Sequence, residues 1–304
     1  MLYLIFTIVS IVLLVILLSM FIGWKLLHPG PKPITDNPSN YGLIYENISF
    51  KSRGNDLTLK GWYIPTTKNE KMTLVFGHGY LANREEHRAE ALKLAKALVS
   101  DGYNIVMFDF RGWGESEGNM TTLGLYEKLD MQGAIDWVKG KNPNTRIGLI
   151  GFSMGAATSL LVAAEEDCVE IVVADSPFSD LNAYLNENLS YFTKLPKFPF
   201  NQIILKTIPL LSGVNINQVK PIDAIDKIHP RKVLFIHSNT DKTIFCRHSE
   251  ILSKRYPDKF TYWKTQDVLH LRSHQAYPAE YQEKVLSFLN SVAVINENEK
   301  SNVQ

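Results

Sequence analysis

The sequence predicts an α/β fold, in which a mostly parallel central sheet is flanked by helices. Short, continuous apolar runs typical of buried strands alternate along the chain with longer stretches of helical periodicity. One of these runs ends in a glycine-bounded serine turn and leads directly into a helix rich in small residues. A charge-free apolar stretch precedes all of them and adds one predicted membrane-spanning helix.

The composition is that of an ordinary globular protein, and it excludes several classes of function. The chain has 304 residues, of which 45% are hydrophobic and 21% charged. Its net charge of +1 provides no basic field to attract nucleic acid. Cys168 and Cys246 lie far apart and form no metal-ligand pattern, so we expect free thiols. We therefore expect no nucleic-acid partner, no metal and no cofactor.

The N-terminal stretch predicts a membrane anchor. Residues 2–24 carry no charged side chain, and as a helix they would extend about 34 Å, enough to cross a bilayer core. A cleaved signal peptide is the alternative, but its basic start and small-residue cleavage site are missing here. The sequence thus predicts a single-pass anchor over residues 1–27. Lys25 and Lys32 follow it and nothing basic precedes it, which favours a cytoplasmic domain.

Proline and apolar patterning divide the rest of the chain. Residues 28–40 form a proline-rich linker, residues 41–292 the α/β domain and residues 293–304 a polar tail. Two alternating runs predict an antiparallel hairpin at the sheet edge, at residues 43–50 and 57–64, with its turn at residues 54–56. Buried strands are predicted at residues 72–76, 103–108, 147–150, 169–174, 232–237 and 259–264, and helices at residues 84–100, 125–138 and 279–289.

One long segment interrupts the alternation of strands and helices. Residues 179–228 contain many aromatic and aliphatic side chains, broken by Pro196, Pro199 and Pro209, but no buried-strand pattern. We interpret this segment as short helices inserted between two core strands, which is typical of a lid over a binding site. Packing alone is the other interpretation.

The serine turn has the pattern of a nucleophile elbow. Gly151-Phe152-Ser153-Met154-Gly155 follows a predicted strand and precedes a predicted helix, which is the context that G-x-S-x-G requires. The turn is so sharp that the two glycines are needed for close backbone approach, and Ser153 is pushed outwards. The helix that begins there favours negative charge near the hydroxyl.

A serine hydroxyl is a poor nucleophile unless a base removes its proton and an acid orients that base. In strand–elbow–helix proteins these partners follow the serine in the order acid, then histidine. Asp241 lies in the polar loop after the strand at residues 232–237, where open α/β sheets present functional groups. Asp175, directly after the previous strand, is the alternative acid.

Three histidines follow Asp241 in the chain. His248 is too close and falls on a predicted helix, whereas His270 and His274 lie in the loop after the last predicted strand. We choose His270 because it is nearer the strand end. The oxyanion of the attacked carbonyl also needs preorganised donors. We expect these to be the backbone N–H of Met154 and that of Tyr80.

These residues together resemble the α/β-hydrolase superfamily over residues 41–289. The markers are His78-Gly79, the D-x-R-G-x-G-x-S run at residues 109–116, the elbow, Asp241 and His270. The resemblance implies that the run at 109–116 is a structural turn. We interpret His78, from its place in the loop after the strand at residues 72–76, as a structural residue and not a catalytic one. The chain is most similar to bacterial serine-aminopeptidase-like and bile-acid-acyltransferase-like hydrolases, and it departs from them at Ser238 and at Val268-Leu269.

The sequence therefore predicts a membrane-tethered serine hydrolase with the triad Ser153, Asp241 and His270. Its expected substrate is a small molecule with a carboxylic ester or thioester, and lipid acyl groups are favoured because the N-terminal helix ties the domain to a membrane. An amidase or peptidase is the alternative from the same class. A non-catalytic binding protein on the same fold is the alternative from another class.

Overall fold

A computed structural model of the chain describes residues 1–54 and 57–293. Asn55 and Asp56, which belong to the predicted hairpin turn, and the tail residues 294–304 lie outside the described residues.

The described residues form one eight-stranded mixed sheet in the order β1-β2-β4-β3-β5-β6-β7-β8. The first two strands form the predicted hairpin, and β2 also pairs antiparallel with β4. All remaining pairs are parallel, as the alternation of strands and helices predicts. The strands are β1 (Glu46–Lys51), β2 (Thr58–Ile64), β3 (Met72–Gly77), β4 (Tyr103–Phe108), β5 (Ile147–Phe152), β6 (Val169–Asp175), β7 (Lys232–Ser238) and β8 (Phe260–Thr265).

Helices cover both faces of this sheet. One face packs against α3, α4 and α8, and the other packs against α2 and α10. The central strands are therefore buried on both faces, which explains their continuous apolar sequences. The helices are α1 (Leu2–Leu27), α2 (Ala91–Ser100), α3 (Glu127–Lys141), α4 (Met154–Glu165), α5 (Leu181–Thr193), α6 (Gln202–Ser212), α7 (Pro221–Ala224), α8 (Arg247–Ser253), α9 (Ser273–Ala276) and α10 (Pro278–Ala293).

The helix predicted at residues 84–100 is wrong in its first half. Its regular part, α2, begins at Ala91, and the preceding Glu86 and Glu90 have φ of +31° and +49°, which no helix accommodates. The cause is a set of long-range polar contacts. Buried Arg84 binds Asp109 through two hydrogen bonds from its guanidinium, and Glu86 turns inwards to the loop after β3. The helical periodicity of apolar residues carries no information about such contacts.

The segment at residues 179–228 folds into short helices above the carboxyl ends of the strands, and we call it the lid segment. Its helix α6 packs against the last third of α1, where Ile204 and Thr207 surround the position of Gly23. The preceding residues of α1 are largely exposed. With 26 residues and a mean hydropathy of 3.1 over its most apolar window, α1 is long and apolar enough to cross a membrane.

The turn between β5 and α4 is as tight as the sequence predicts. Ser153 has φ +55° and ψ −115°, a conformation that side chains other than glycine rarely adopt. A Cβ on Gly155 would lie 2.1 Å from the carbonyl oxygen of Gly77, and one on Gly151 would lie 2.3 Å from that of Gly155. The elbow therefore depends on direct backbone contact between α4 and β3.

The presence of this contact at Gly155, and its absence at Gly140, predict opposite effects of an alanine substitution on the free energy of unfolding. Gly155→Ala forces the backbones of α4 and β3 apart, and overpacking of this kind costs about 1–3 kcal/mol of unfolding free energy. Gly140→Ala in α3 is the matched control, because nothing lies within 4 Å of its Cβ position. It should stabilise by about 0.5–1 kcal/mol. Denaturant unfolding in detergent measures both, and equal effects would contradict the account.

Candidate active site

The carboxyl ends of neighbouring strands bring three sequence-distant side chains to one place. Ser153 follows β5, Asp241 follows β7 and His270 follows β8, and these strands lie in one half of the sheet. The Ser153 Oγ lies 2.9 Å from His270 Nε2, and His270 Nδ1 lies 2.6 Å from Asp241 Oδ2. The structure therefore joins all three predicted residues in one hydrogen-bonded chain.

The chemistry of the carboxylate assigns the protons in this chain. An ionised Asp241 only accepts hydrogen bonds, so Nδ1 of His270 must carry a proton and donate it. In the neutral imidazole, Nε2 then has a free lone pair and accepts from the Ser153 hydroxyl. This arrangement lets His270 take the proton of Ser153 without first losing one of its own.

Asp241 is buried, yet it is held as a carboxylate. Its Oδ1 accepts from the backbone N–H groups of Thr243 and Ile244 at 2.8 and 3.0 Å. Its Oδ2 faces His270 and lies 3.3 Å from Nε2 of His237. Burial would raise the pKa of Asp241, but attraction to His270 and the hydrogen bonds from both histidines bring that pKa well below its ordinary value.

Sequence reasoning did not assign His237 a role. Its Nδ1 lies 2.8 Å from the Ser249 hydroxyl and its Nε2 lies 2.9 Å from the carbonyl oxygen of Ile244. It is completely buried at the end of β7. Its place directly after the apolar run at residues 233–236 was the available signal. His237 fixes the loop that presents Asp241.

The alternative residues have other partners. Asp175 accepts from the hydroxyls of Ser176 and Tyr281, each at 2.8 Å, and burial raises its pKa. Asp175 thus ties α10 to β6.

The two alternative histidines also have other partners. His248 Nδ1 lies 2.8 Å from the Ser179 hydroxyl, and His274 Nδ1 lies 2.9 Å from the carbonyl oxygen of Ala89. Neither histidine takes the position of His270.

Two of the positions at which the sequence departs from similar hydrolases, Ser238 and Val268, contact each other in the structure. The Ser238 hydroxyl donates to the carbonyl oxygen of Val268 at 2.6 Å. Next to it, the Asn239 side-chain oxygen accepts from the N–H of Asp267 at 2.8 Å. These bonds join the loop that carries Asp241 to the loop that carries His270. A glycine at position 238 could not make the first of them.

The loop after β3 passes directly beside Ser153. A Cβ on Gly79 would lie 3.2 Å from that of Ser153. Over the described residues, the backbone N–H groups of Tyr80 and Met154 donate no hydrogen bond to the protein. Both residues line the cavity in front of Ser153. Two free donors beside the nucleophile can donate hydrogen bonds to an oxyanion, which is the role expected of these N–H groups.

His78 orients one of these donors. Its Nε2 accepts from the N–H of Phe110 at 3.0 Å, so Nδ1 carries the proton and donates to the carbonyl oxygen of Gly79 at 2.8 Å. In a trans peptide the C=O and the next N–H point in opposite directions. Fixing the carbonyl of Gly79 therefore turns the Tyr80 N–H away from His78. Complete burial lowers the pKa of His78, which keeps the neutral form that this geometry needs.

Glu86 and Arg88 hold the other polar groups of this loop, and sequence reasoning missed both. Glu86 Oε2 accepts from the N–H of Gly79 at 2.7 Å, and Arg88 donates to the carbonyl oxygen of Tyr80 at 3.2 Å. The two side chains are also joined to each other at 2.8 Å. Burial would raise the pKa of Glu86, but Arg88 and the Gly79 N–H lower it below its ordinary value. The pair leaves the Tyr80 N–H free while it fixes its neighbours.

The cavity in front of Ser153, which we call the Ser153 cavity, has a volume of about 200 Å³. It is almost entirely apolar, and no Asp, Glu, Lys or Arg side chain lines it among the described residues. Two of its walls come from the lid segment and from the last turn of α1. Its lining consists of Leu26, Leu27, Tyr80, Leu81, Thr122, Leu123, Ser153, Met154, Phe178, Leu181, Tyr184, Leu185, Leu189, Phe192, Ile208, Val214, Ile216 and Ile244.

Comparisons with known proteins show which proteins this chain is similar to. A model of the X-Pro dipeptidyl-peptidase (S15) family matches residues 57–194. The chain is 30% identical to the uncharacterized protein YqkD of Bacillus subtilis over 237 residues, which is 77% of this chain and 76% of YqkD. It is 31% identical over 126 residues to the lysophosphatidylserine lipase ABHD12 of Mus musculus, 40% of this chain but only 30% of that lipase.

Among solved structures, the esterase Pf2001 of Pyrococcus furiosus superposes with a TM-score of 0.71 at 26% identity. The superposition covers 86% of this chain and 97% of the esterase. The sheet order, the elbow and these similarities together define a hydrolase of the α/β type. The chain belongs to the α/β-hydrolase superfamily.

The orientation of the Tyr80 peptide predicts a specific kinetic defect. His78→Phe keeps a buried ring but removes the donor to Gly79, so the Tyr80 N–H loses its fixed direction. We expect kcat for an ester to fall about 100-fold with little change in KM, as on removal of one oxyanion donor. His274→Phe is the matched control, because it also removes a bond from a buried ring to a carbonyl oxygen. Equal kcat in the two variants would contradict the role of His78.

Proposed function

We propose that this chain is a serine hydrolase that cleaves carboxylic esters or thioesters of apolar acyl groups. The observation that carries the proposal is the hydrogen-bonded chain from Ser153 through His270 to Asp241, which opens onto the apolar Ser153 cavity. Nucleophile, base and orienting acid are within bonding distance, which is the geometry that activates a serine hydroxyl.

In the first half-reaction, Ser153 Oγ attacks the acyl carbonyl carbon while Nε2 of His270 takes the hydroxyl proton. The carbonyl oxygen becomes an oxyanion and accepts hydrogen bonds from the backbone N–H groups of Met154 and Tyr80. When the oxyanion collapses, the bond to the alcohol or thiol breaks, and His270 returns the proton to that leaving group. Ionised Asp241 stabilises the imidazolium that exists between these steps.

In the second half-reaction, water replaces the leaving group. His270 takes a proton from the water as its oxygen attacks the acyl-serine, and the same two N–H groups receive the oxyanion. The ester bond to Ser153 then breaks, and His270 protonates its Oγ. The products are a carboxylic acid and the restored hydroxyl, so one water is consumed for each ester cleaved.

The Ser153 cavity supports an acyl substrate. Its volume of about 200 Å³ exceeds the roughly 150 Å³ of an apolar cavity that holds benzene. Its aliphatic and aromatic walls favour a hydrocarbon chain and offer no charge to a polar group. The similarity to a lysophosphatidylserine lipase points in the same direction, over the 40% of this chain that it covers.

A peptidase is the second candidate, because the family model that matches residues 57–194 is named for an X-Pro dipeptidyl-peptidase. An aminopeptidase substrate carries a free ammonium group, and burying that charge requires a partner of opposite sign. Within the described residues, the Ser153 cavity has no carboxylate wall. Its chemistry therefore favours esters over N-terminal peptides. A binding-only role would not require the strained conformation of Ser153 or its hydrogen-bonded chain to His270 and Asp241.

We further propose that α1 spans a membrane once and tethers the hydrolase domain to it. Its length and composition support this placement, and its C-terminal end joins the domain directly. Lys25 and Lys32 lie on the domain side of the span, which favours a cytoplasmic domain.

Removal of the nucleophile should abolish turnover. Ser153→Ala leaves His270 with nothing to activate, so we expect kcat/KM for p-nitrophenyl esters to fall by at least about ten-thousandfold. Ser159→Ala is the matched control in the following helix, since its hydroxyl lies 2.8 Å from the carbonyl oxygen of Gly155 and 3.6 Å from the sulfur of Met131 and bonds no residue of the triad. It should keep kcat/KM within about threefold, because it removes only ordinary hydrogen bonds away from the nucleophile. Substantial ester turnover by Ser153→Ala would refute the mechanism.

The apolar cavity predicts substrate preference. On p-nitrophenyl esters of increasing chain length, kcat/KM should rise from acetyl to medium-chain acyl groups, by about fourfold for each buried methylene. Aminoacyl p-nitroanilides should be hydrolysed at least about 100-fold more slowly than the best ester, because their ammonium has no partner in the cavity. A preference for aminoacyl anilides would favour the peptidase candidate instead.

A further inference from the structure

The last turn of α1 is part of the Ser153 cavity. Leu26 and Leu27 line it, so the proposed anchor and the proposed active site share a wall. Two hydrogen bonds fix this wall to the domain. The Tyr80 hydroxyl donates to the carbonyl oxygen of Leu26 at 2.8 Å, and the N–H of Thr121 donates to that of Leu27 at 2.8 Å. The distance between cavity and membrane is therefore set by the helix itself and not by a flexible linker.

The length of the free part of α1 sets that distance. Residues 2–18 are largely exposed, and at a rise of about 1.5 Å per residue they extend about 26 Å. A bilayer's hydrocarbon core is about 30 Å thick. Ser19 and Gly23 are already buried, and Gly23 lies against α6 of the lid segment. If α1 spans the bilayer, the lid segment must lie at the surface where the helix emerges.

The lid segment has the surface that such a position requires. Phe198 and Leu210 are 79% and 81% exposed, the highest values among the large apolar side chains described after α1. Tyr191 and Phe192, at the end of α5 in the same lid segment, are also exposed. We call these four residues the membrane face. Residues 188–222 contain no acidic side chain and four lysines, Lys194, Lys197, Lys206 and Lys220.

We propose that the membrane face is seated in the headgroup region of the bilayer, and that the Ser153 cavity takes the acyl chain of a monoacyl lipid ester directly from that bilayer. The substrate part of this inference rests on the proposed function. Apolar side chains interspersed with lysines suit the boundary between acyl chains and anionic headgroups. Phe192 belongs both to the membrane face and to the cavity lining, so it marks where the chain enters.

The size of the cavity selects the substrate class. About 200 Å³ of apolar space is little more than the roughly 150 Å³ of an apolar cavity that holds benzene, so it suits one hydrocarbon chain better than two. A monoacyl lipid also leaves a bilayer at lower cost than a diacyl lipid, because less apolar surface is exposed on the way. We therefore assign the cavity to single-chain esters.

The first experiment measures membrane contact and is independent of catalysis. Full-length protein with Cys168→Ala and Cys246→Ala is given one cysteine by Phe198→Cys, or by Ile44→Cys as control. Ile44 is 75% exposed but lies outside the lid segment, just before the edge strand β1. An environment-sensitive fluorophore at position 198 should be blue-shifted and quenched by nitroxide lipids in proteoliposomes. A signal at 198 equal to that at 44 would overturn the membrane face.

The second experiment measures substrate access. Leu210→Glu and the control Ile44→Glu are assayed in anionic vesicles, against a monoacyl lipid ester in the bilayer and against a water-soluble butyrate ester. Leu210→Glu should lower the rate on the bilayer ester about tenfold or more, because a charge replaces an inserted apolar side chain. The rate on butyrate should be unchanged, and Ile44→Glu should change neither.

Equal loss on both substrates, or loss on neither, would overturn delivery from the bilayer. Absence of ester hydrolysis in the unsubstituted protein would refute the proposed function instead, while the fluorescence measurement would still decide the membrane face. The two failures are therefore distinguishable.

Discussion

The backbone contact between α4 and β3 is the constraint from which the site follows. Because Gly155 lies against the carbonyl of Gly77, the chain must turn between β5 and α4 with no side chain in the contact, and Ser153 is forced into its strained conformation. The same contact brings the loop after β3 beside the nucleophile. One close approach thus positions the serine hydroxyl, the Met154 N–H and the Tyr80 N–H together, before any of them meets a substrate.

Around this elbow, buried polar groups act mainly by holding loops. The carboxylate of Asp241 faces two backbone N–H groups and two histidine rings and stays ionised. In the loop after β3, the side chains of His78, Glu86 and Arg88 fix the peptide groups on both sides of the Tyr80 N–H. Such groups are costly to bury unless each is paired. Their pairing explains how three loops from separate strands keep distances that a hydrogen-bonded chain from serine to aspartate demands.

The sequence alone predicted most of the fold and the whole chain Ser153–His270–Asp241. Continuous apolar strands and the G-x-S-x-G turn are local signals, and chain order at strand ends selects the acid and the histidine. Contacts between distant segments were not predictable in this way. Residues 84–90 look helical but are turned inwards by partners far along the chain, His237 has no motif, and nothing in residues 2–27 says that Leu26 forms part of a cavity wall. That last contact links the proposed membrane anchor to the proposed active site, two features that the sequence presents separately.

The central claim is that Ser153 is the activated nucleophile of a cavity that accepts acyl groups, and covalent trapping tests it most directly. Membranes that contain the full-length protein are treated with an alkyl fluorophosphonate, and the adduct is located by peptide mass spectrometry. We expect one phosphonyl group per chain on the Oγ of Ser153, formed faster as the alkyl group lengthens. An adduct on a different residue, or none in the folded protein, would contradict the account.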